Sequence, residues 1–165
     1  MRIGLDSRDL KILSVLQRDG RIKKSALAAE INLSPAACWE RLTRLEQAGV
    51  ISGYRAEVAL DRIARVSLFV VQIELEQHRA ADFQKFEAAV ARLPEVTRCL
   101  AVGGGVDYFL EVMAPDVDSY QHLIQHLLDS EIGVKRYFTY VVTKNVKSSP
   151  PPVRDLVRAA EETPD

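Results

Sequence analysis

The chain has 165 residues, which is enough for one ordinary domain or two small ones. With 47% hydrophobic and 27% charged residues, its composition is typical of a globular protein that can bury a sizeable core. No apolar run approaches the roughly 20 residues that span a bilayer, which argues against a membrane-spanning helix. The first residues show no secretory pattern, so we expect a cytoplasmic protein whose two cysteines, Cys38 and Cys99, are buried thiols.

The formal net charge of −1 conceals an asymmetry between the two ends of the chain. Residues 1–60 contain 10 Lys and Arg against 7 Asp and Glu, a balance of +3, whereas residues 61–165 contain 12 against 16, a balance of −4. A basic segment followed by an acidic remainder is typical of a nucleic-acid-binding module joined to a separate control domain.

The N-terminal block is predicted to begin with two helices. Asp6 is placed to cap a first helix whose apolar residues recur at helical spacing, and Gly20 ends that helix. A short second helix, largely apolar over residues 26–31, stops near Asn32.

A third helix is predicted directly after residues 32–34. Ser34 can accept hydrogen bonds from its free N–H groups, and Pro35 suits the first helical position because the N–H it lacks has no partner there. The helix extends to about Ala48, and Gly49 can adopt the left-handed conformation that ends it. Three helices in fewer than fifty residues, the last two separated by a short turn, predict a helix-turn-helix bundle of the winged-helix kind.

This third helix has two chemically different faces when it is turned by about 100° per residue. Cys38, Leu42 and Leu45 form an apolar stripe toward the core. The opposite face is small at its N-terminal end, where a recognition helix enters the major groove, and carries arginines that can reach guanine edges or phosphates. A merely solvated surface, with the tryptophan as a packing residue, is the alternative. The candidate DNA-binding residues are Ser34, Ala36, Ala37, Trp39, Glu40, Arg41, Thr43 and Arg44.

From residue 66 onward, strand patterns alternate with helical ones. The order strand–helix–strand–strand–helix–strand is the ferredoxin-like (ACT-like) βαββαβ arrangement, so the fold class is α+β. It places two helices on one face of a four-stranded antiparallel sheet. The predicted strands cover residues 66–76, 96–102, 106–113 and 134–146, and the predicted helices cover residues 80–93 and the segment that follows Asp116.

The other face of this sheet needs a cover. Leu68 and Val70 in the first strand, and a last strand that is apolar or aromatic on both faces, predict burial on both sides. No further helix is available, so we expect a second copy of the domain to cover this face and to form at least a dimer. A helix-turn-helix protein also benefits from a two-fold partner.

The predicted organisation has four parts. Residues 1–53 form the helix-turn-helix domain, residues 54–65 a strand-like connector, and residues 66–147 the ferredoxin-like domain. Residues 148–165 are a proline-rich tail that ends in a short, weakly anchored helix.

Three segments resemble a known family. Leu33 to Tyr54 reads L-S-P-x-x-C-W-x-R-L-x-R-L-E-x-x-G-V-I-x-G-Y, which resembles the signature of the leucine-responsive/asparagine-regulator (Lrp/AsnC, feast/famine) transcription factors. Residues 5–21, L-D-x-x-D-x-K-I-L-x-x-L-Q-x-D-G-R, are similar to the start of that family. Residues 104–108 are similar to its G-x-x-D-Y turn, and the resemblance covers about residues 5–147.

The resemblance implies a bacterial or archaeal, nucleoid-associated regulator that binds operator DNA and assembles as dimers, often four in a ring. It implies a small amino-acid effector, and no other cofactor, bound between dimers near the glycine turn and the last strand. Glycine N–H groups suit a carboxylate and a nearby carboxylate suits an α-ammonium, although Asp107 has the alternative of a turn cap or an inter-subunit salt bridge. Carried over by position, the effector-binding residues are Gly103, Gly104, Gly105, Asp107, Tyr137, Thr139 and Tyr140.

The chain departs from the family pattern in the effector region. Gly103 replaces a common threonine, and residues 137–140 read Tyr-Phe-Thr-Tyr where Thr-x-Thr-Ser is frequent. A more aromatic wall could suit a larger or cationic amino-acid-like molecule through cation–π contact. Residues 103–108 resemble the Gly-Gly-Gly-x-Asp-Tyr turn of some relatives that are tied to the breakdown of compatible solutes such as ectoine.

Other function classes find little support. His122 and His126 have the spacing of a metal pair on a helix, but Leu123 stands where the metalloprotease motif requires Glu, so exposed histidines are the better interpretation. The glycines at 103–105 join two strands, unlike a dinucleotide-binding loop. We therefore predict neither catalysis nor a metal site. A sensing module that contacts an enzyme instead of DNA is the alternative, which the basic N-terminal block disfavours.

Overall fold

The computed structural model describes residues 3–162, which divide into two compact units. One unit contains the residues up to Glu57 together with those from Lys147 onward, and the other is Val58–Val146. Residues 1, 2 and 163–165, which belong to the predicted first domain and tail, lie outside the described residues. The elements are α1 (Ser7–Arg18), α2 (Lys24–Glu30), α3 (Pro35–Gln47), β1 (Ser67–Leu75), α4 (Ala80–Val90), β2 (Val96–Ala101), β3 (Tyr108–Ala114), α5 (Val117–Asp129), β4 (Val134–Val141) and α6 (Val153–Glu162).

Local signals start and stop the helices of the first unit. The Asp6 carboxylate accepts hydrogen bonds from the N–H groups of Arg8 and Asp9, both at 2.9 Å, and so caps α1. Asn32, with φ of +56°, lies in the short turn between α2 and α3. Gly49, with φ of +69°, ends α3 in the conformation that glycine tolerates best. The predicted helix-turn-helix is confirmed.

The tail belongs to the first unit. Gln17 of α1 donates a hydrogen bond from Nε2 to the carbonyl of Pro151 at 3.2 Å, and Val153 packs against the core of the three-helix bundle. No residue of α6 is fully buried, as expected for a weakly anchored helix.

The predicted strand-like connector is wrong. Residues 54–65 contain only a short 3₁₀ turn, Leu60–Arg62, and otherwise no regular structure. Their extended pattern does not become a strand because none of the described strands pairs with them.

The second unit is a four-stranded antiparallel sheet in the order β2-β3-β1-β4. Alternate residues of β1 and β3, among them Val71 and Leu110, are fully buried beneath α4 and α5. Phe86 of α4 and Ile124 of α5 complete this core. The predicted βαββαβ fold is confirmed.

Two predictions fail at the sheet edges. The last strand stops at Val141 and not at residue 146; beyond it, the Val142 N–H still bonds to the carbonyl of Leu68 at 2.9 Å, and residues 143–146 have no regular structure. Cys99 is exposed, not buried, because β2 is an edge strand that the helices cover poorly.

The sheet face opposite the helices has no cover within the second unit, and it combines apolar side chains with the ion pairs Glu74–Arg136 and Arg98–Glu111. On the central strands it presents half-buried residues such as Val70 and Phe109. On β4, Phe138 and Tyr140 point to the same face and are 47% and 52% exposed. This open face is the surface that the sequence predicts a second copy to cover.

Candidate nucleic-acid interface and effector region

The candidate DNA-binding residues of α3 lie on the exposed face that the helical periodicity predicts, except for Ala37, Arg41 and Thr43, which are half-buried. Ser34 accepts a hydrogen bond from the N–H of Ala37 at 3.3 Å, which fixes the N-terminus of α3. Cys38 and Leu45 are buried, whereas Ala36 and Glu40 are exposed. Burial also raises the pKa of the Cys38 thiol, which disfavours its reactive thiolate.

The two arginines of α3 make ion pairs within the first unit. Arg41 Nη1 donates to Asp6 Oδ2 at 2.6 Å and to Asp9 Oδ1 at 2.9 Å. Arg44 Nη2 donates to Asp9 Oδ2 at 2.5 Å. Both carboxylates belong to the start of α1, so the arginines join α1 to α3. Both arginines are predicted DNA contacts, and their carboxylate partners were not expected from the sequence.

These pairings separate the two arginines by accessibility. The Arg41 side chain is 29% exposed and its Nη1 is shared by two carboxylates, whereas the Arg44 side chain is 48% exposed and contacts one. The N–H of Asp9 and the Arg41 guanidinium together lower the pKa of Asp6 to about 2, and the two carboxylates raise the pKa of Arg41. Arg44 therefore keeps more freedom to contact DNA than Arg41 does.

Thr43 does not present its hydroxyl to solvent. The residue is half-buried, and its Oγ1 is buried without a hydrogen-bond partner among residues 3–162. Of the two contacts that the sequence allows Thr43, a phosphate contact by this hydroxyl is not available in this geometry, and a contact with a thymine methyl group stays a prediction.

The ring of Trp39 makes a cation–π contact that was not expected from the sequence. Its ring is 46% exposed, and the Nζ of Lys24 lies 3.1 Å from the ring centroid. An exposed aromatic ring under a lysine is a cation–π pair on the outside of the bundle. The sequence signal for this contact is the Lys23-Lys24 pair at the start of α2.

The turn that joins β2 to β3 is exposed, but its carboxylate is already bonded. Asp107 accepts a hydrogen bond from the N–H of Leu75 at 2.8 Å and lies 3.0 Å from Nε2 of His78. Its side chain is only 16% exposed. Asp107 thus ties the glycine turn to the end of β1, which is neither the predicted effector contact nor its alternative, a turn cap or an inter-subunit salt bridge. Gly104, with φ of +146°, has a backbone that other residues rarely adopt.

The β4 candidates lie on two different faces of the sheet. Tyr137 and Thr139 line a cavity of about 430 Å³ beside α5, and the hydroxyls of Thr139 and Tyr120 are hydrogen-bonded. Tyr140 lies on the open face, where its hydroxyl donates to Oε1 of Gln72 at 3.2 Å. Tyr120 and the other α5 residues of this cavity were missed, because their helical spacing is equally typical of core residues.

The candidate effector residues lie on parts of the sheet that are not direct neighbours. The glycine turn leads into β3, and Tyr137 and Thr139 lie on β4, with β1 between these two strands. Tyr108, the first residue of β3, and Tyr137 both pair with Ile73, so two strand spacings, about 10 Å, separate their backbones.

The part of the chain that the structure describes shows no cluster of potential metal ligands. Within residues 3–162, no three His, Cys, Asp or Glu side chains are placed to hold an ion together. His122 and His126 are exposed on α5. The helices within these residues also include none long and apolar enough to cross a membrane.

Comparisons with known families match both units. Residues 5–52 match a winged helix-turn-helix DNA-binding model, and residues 68–152 match the Lrp/AsnC ligand binding domain. The transcriptional regulatory protein DoeX of Halomonas elongata is 56% identical over 143 residues, which are 87% of this chain and 90% of that protein. The leucine-responsive regulatory protein of Escherichia coli is 39% identical over 145 residues, 88% of each chain.

Solved structures agree with these matches. A Neisseria meningitidis transcriptional regulator in complex with L-methionine aligns with a TM-score of 0.86 at 30% identity, covering 93% of this chain and 99% of that one. AsnC of Escherichia coli aligns with a TM-score of 0.80 at 26% identity, covering 91% and 99%.

Proposed function

Because the chain belongs to the Lrp/AsnC family of transcriptional regulators, we propose that it reads a specific operator with α3 and changes this reading when an amino-acid-like effector binds its second unit. Family membership makes it a regulator with a helix-turn-helix DNA-binding domain and an amino-acid-binding domain, and not an enzyme. The proposal for α3 rests chiefly on one observation, the division of this helix into a buried apolar stripe and an exposed polar face.

Each exposed residue of α3 has a chemical role in this proposal. Ala36 and Ala37 allow close approach to the groove, and Ser34 with the helix N-terminus faces a phosphate. Arg44 reaches a guanine edge, and Glu40 can accept from a cytosine amino group. Lys24 and Trp39 contact the flanking backbone, where a cation is favoured. Arg41 serves mainly to join α3 to α1.

The operator proposal is tested by gel shifts at several salt concentrations, with the DNA upstream of the protein's own gene and an unrelated duplex. Arg44→Ala should weaken operator binding by about 1–3 kcal/mol, or roughly 5- to 150-fold. Arg92→Ala, which removes the same charge from an exposed position in the second unit, should have little effect. Equal affinity of the wild-type protein for both duplexes would contradict the proposal.

For the effector, we propose an amino acid or an amino-acid-like molecule. We expect it to be larger than the smallest neutral amino acids, or to carry an additional positive charge. The neighbouring Neisseria regulator was solved with L-methionine, which supports the general class. The cavity beside α5 offers Tyr137 for a cation–π contact and Thr139 for a hydrogen bond. The glycine turn offers backbone N–H groups for a carboxylate, with Asp107 holding the turn in shape.

A thermal-shift screen with L-methionine, L-leucine, L-ornithine and ectoine tests this assignment, since a ligand of the folded assembly raises its melting temperature. Thr139→Val should abolish the shift caused by the active compound. Tyr140→Phe, on the opposite face of the same strand, should keep it. The reverse pattern would move the effector to the open face.

The proposed assembly follows from the open sheet face. Two copies would cover each other's exposed Phe138 and Tyr140, and four such dimers could form a ring. Each dimer would present two α3 helices to half-sites one DNA turn apart or a multiple of it, and operator binding would place the protein on the nucleoid.

A further inference from the structure

Asp9 is the single buried charged residue within residues 3–162, with 1% of its surface exposed. A buried carboxylate is unfavourable unless its oxygens are paired and hydrogen-bonded. Oδ1 accepts from Arg41, and Oδ2 accepts from both Arg44 and the N–H of Asp6. Asp9 is therefore fixed at both oxygens, at the first turn of a helix that is itself anchored in the core through Ile12 and Leu13.

The Arg44 guanidinium is held at one end and open at the other. A guanidinium has five N–H donors in a planar fork. One Nη of Arg44 is bonded to Asp9, while the side chain remains 48% exposed. The remaining donors can thus address a base without breaking the bond to Asp9.

We propose that Asp9 is a positioning residue for operator recognition: it holds the Arg44 guanidinium in the orientation that reads a base. This inference rests on the proposed function of α3. A free arginine has a long flexible side chain that loses rotamer freedom when it binds. An arginine already ordered by Asp9 loses less, so its contact with the correct base is stronger relative to non-specific contacts.

The charges of this cluster lead to a second expectation. Asp6, Asp9, Arg41 and Arg44 sum to zero, so together they contribute little to the general attraction of DNA. Replacing Asp9 by a neutral residue makes the site more positive and should leave non-specific affinity equal or higher. A loss confined to the operator is the signature of positioning, because a merely unfolded domain would lose both affinities.

The experiment compares wild-type protein with Asp9→Asn, using fluorescence anisotropy on operator and unrelated duplexes. The ratio of the two affinities should fall about tenfold in Asp9→Asn, the size of one good base contact. Asp6→Asn is the matched control, because it removes the same charge from the same cluster. The Asp6 carboxylate contacts Arg41 but not Arg44. Its affinity ratio should be unchanged.

A second variant keeps the inference testable if Asp9→Asn does not fold. Asp9→Glu keeps the charge and retains the capping partner that is usual at this helix position. It moves the carboxylate by one methylene relative to Arg44, so the affinity ratio should fall without a change in salt dependence. The double variant Asp9→Glu with Arg44→Ala should discriminate no worse than Arg44→Ala alone.

The outcomes separate this inference from the proposed function. If the wild-type protein prefers the operator and Arg44→Ala abolishes that preference, but folded Asp9→Asn and Asp9→Glu retain it, the positioning role is refuted and the function of α3 stands. If the wild-type protein has no preference, the proposed function fails and the inference fails with it.

Discussion

Thr43→Val should stabilise the helix-turn-helix unit. The Thr43 hydroxyl is buried without a partner among the described residues, and such a group costs about 1–3 kcal/mol. Valine has nearly the same shape and also branches at Cβ, so neither a cavity nor a large change in helix propensity is expected. Because the residue is only half-buried, we expect the low end of that range, about 1 kcal/mol.

Urea unfolding measured by tryptophan fluorescence tests this expectation, since Trp39 is the only tryptophan and reports on the first unit. With an m-value on the order of 1 kcal/mol/M for a unit of this size, the midpoint should rise by up to about 1 M at unchanged m. Thr43→Ser, which keeps the hydroxyl and removes the methyl group, should lower the midpoint. Operator affinity of Thr43→Val should equal that of the wild-type protein.

A lower urea midpoint for Thr43→Val would mean that the hydroxyl has a partner in solution. A tenfold loss of operator affinity at unchanged stability would mean that the hydroxyl turns outward and contacts DNA. Either result would refute the burial argument, and the second would restore Thr43 to the reading face.

The remaining predictions concern assembly, acid stability and the tail. Phe138→Glu on the open sheet face should shift the protein toward an 18.4 kDa monomer in light scattering, whereas Ala88→Glu on the exposed side of α4 should not. The pKa of Asp6 is lowered from 3.8 to about 2, so its stabilising contribution is present above pH 4 and is lost as the pH falls toward 2. Asp6→Asn should therefore reduce the pH dependence of stability in that interval, as measured by tryptophan fluorescence during acid unfolding. Val153→Asp in the half-buried stripe of α6 should destabilise the first unit by about 1 kcal/mol in urea, and Leu156→Asp, on the exposed side of α6, should not.

The sequence predicts the elements whose signals are local. A capping residue, a proline at the first helical position and a glycine in the left-handed conformation lie within one or two turns of what they specify, so the start and end of α3 agree closely with expectation. The alternation of β1 likewise predicts its buried face. The end of β4 was mispredicted because it depends on pairing with β1, about 70 residues earlier in the chain.

Contacts between side chains that lie far apart in the chain could not be predicted from the sequence, because no local signal specifies them. Helical periodicity placed Arg44 on the outside of α3, and its side chain is indeed exposed. It could not reveal that Asp9, 35 residues earlier, extends from α1 to meet it. Nor could it show that Cys99, in an apolar stretch, lies on an edge strand without enough cover.

The positions of the effector candidates bear on regulation. The glycine turn leads into β3, and the β4 cavity lies across β1 from it, two strand spacings or about 10 Å away. If the effector binds between subunits, as the resemblance implies, the turn of one copy would meet the β4 cavity of another. Effector binding would then favour one arrangement of subunits, and with it one spacing of the α3 helices, by the difference in affinity between the two arrangements.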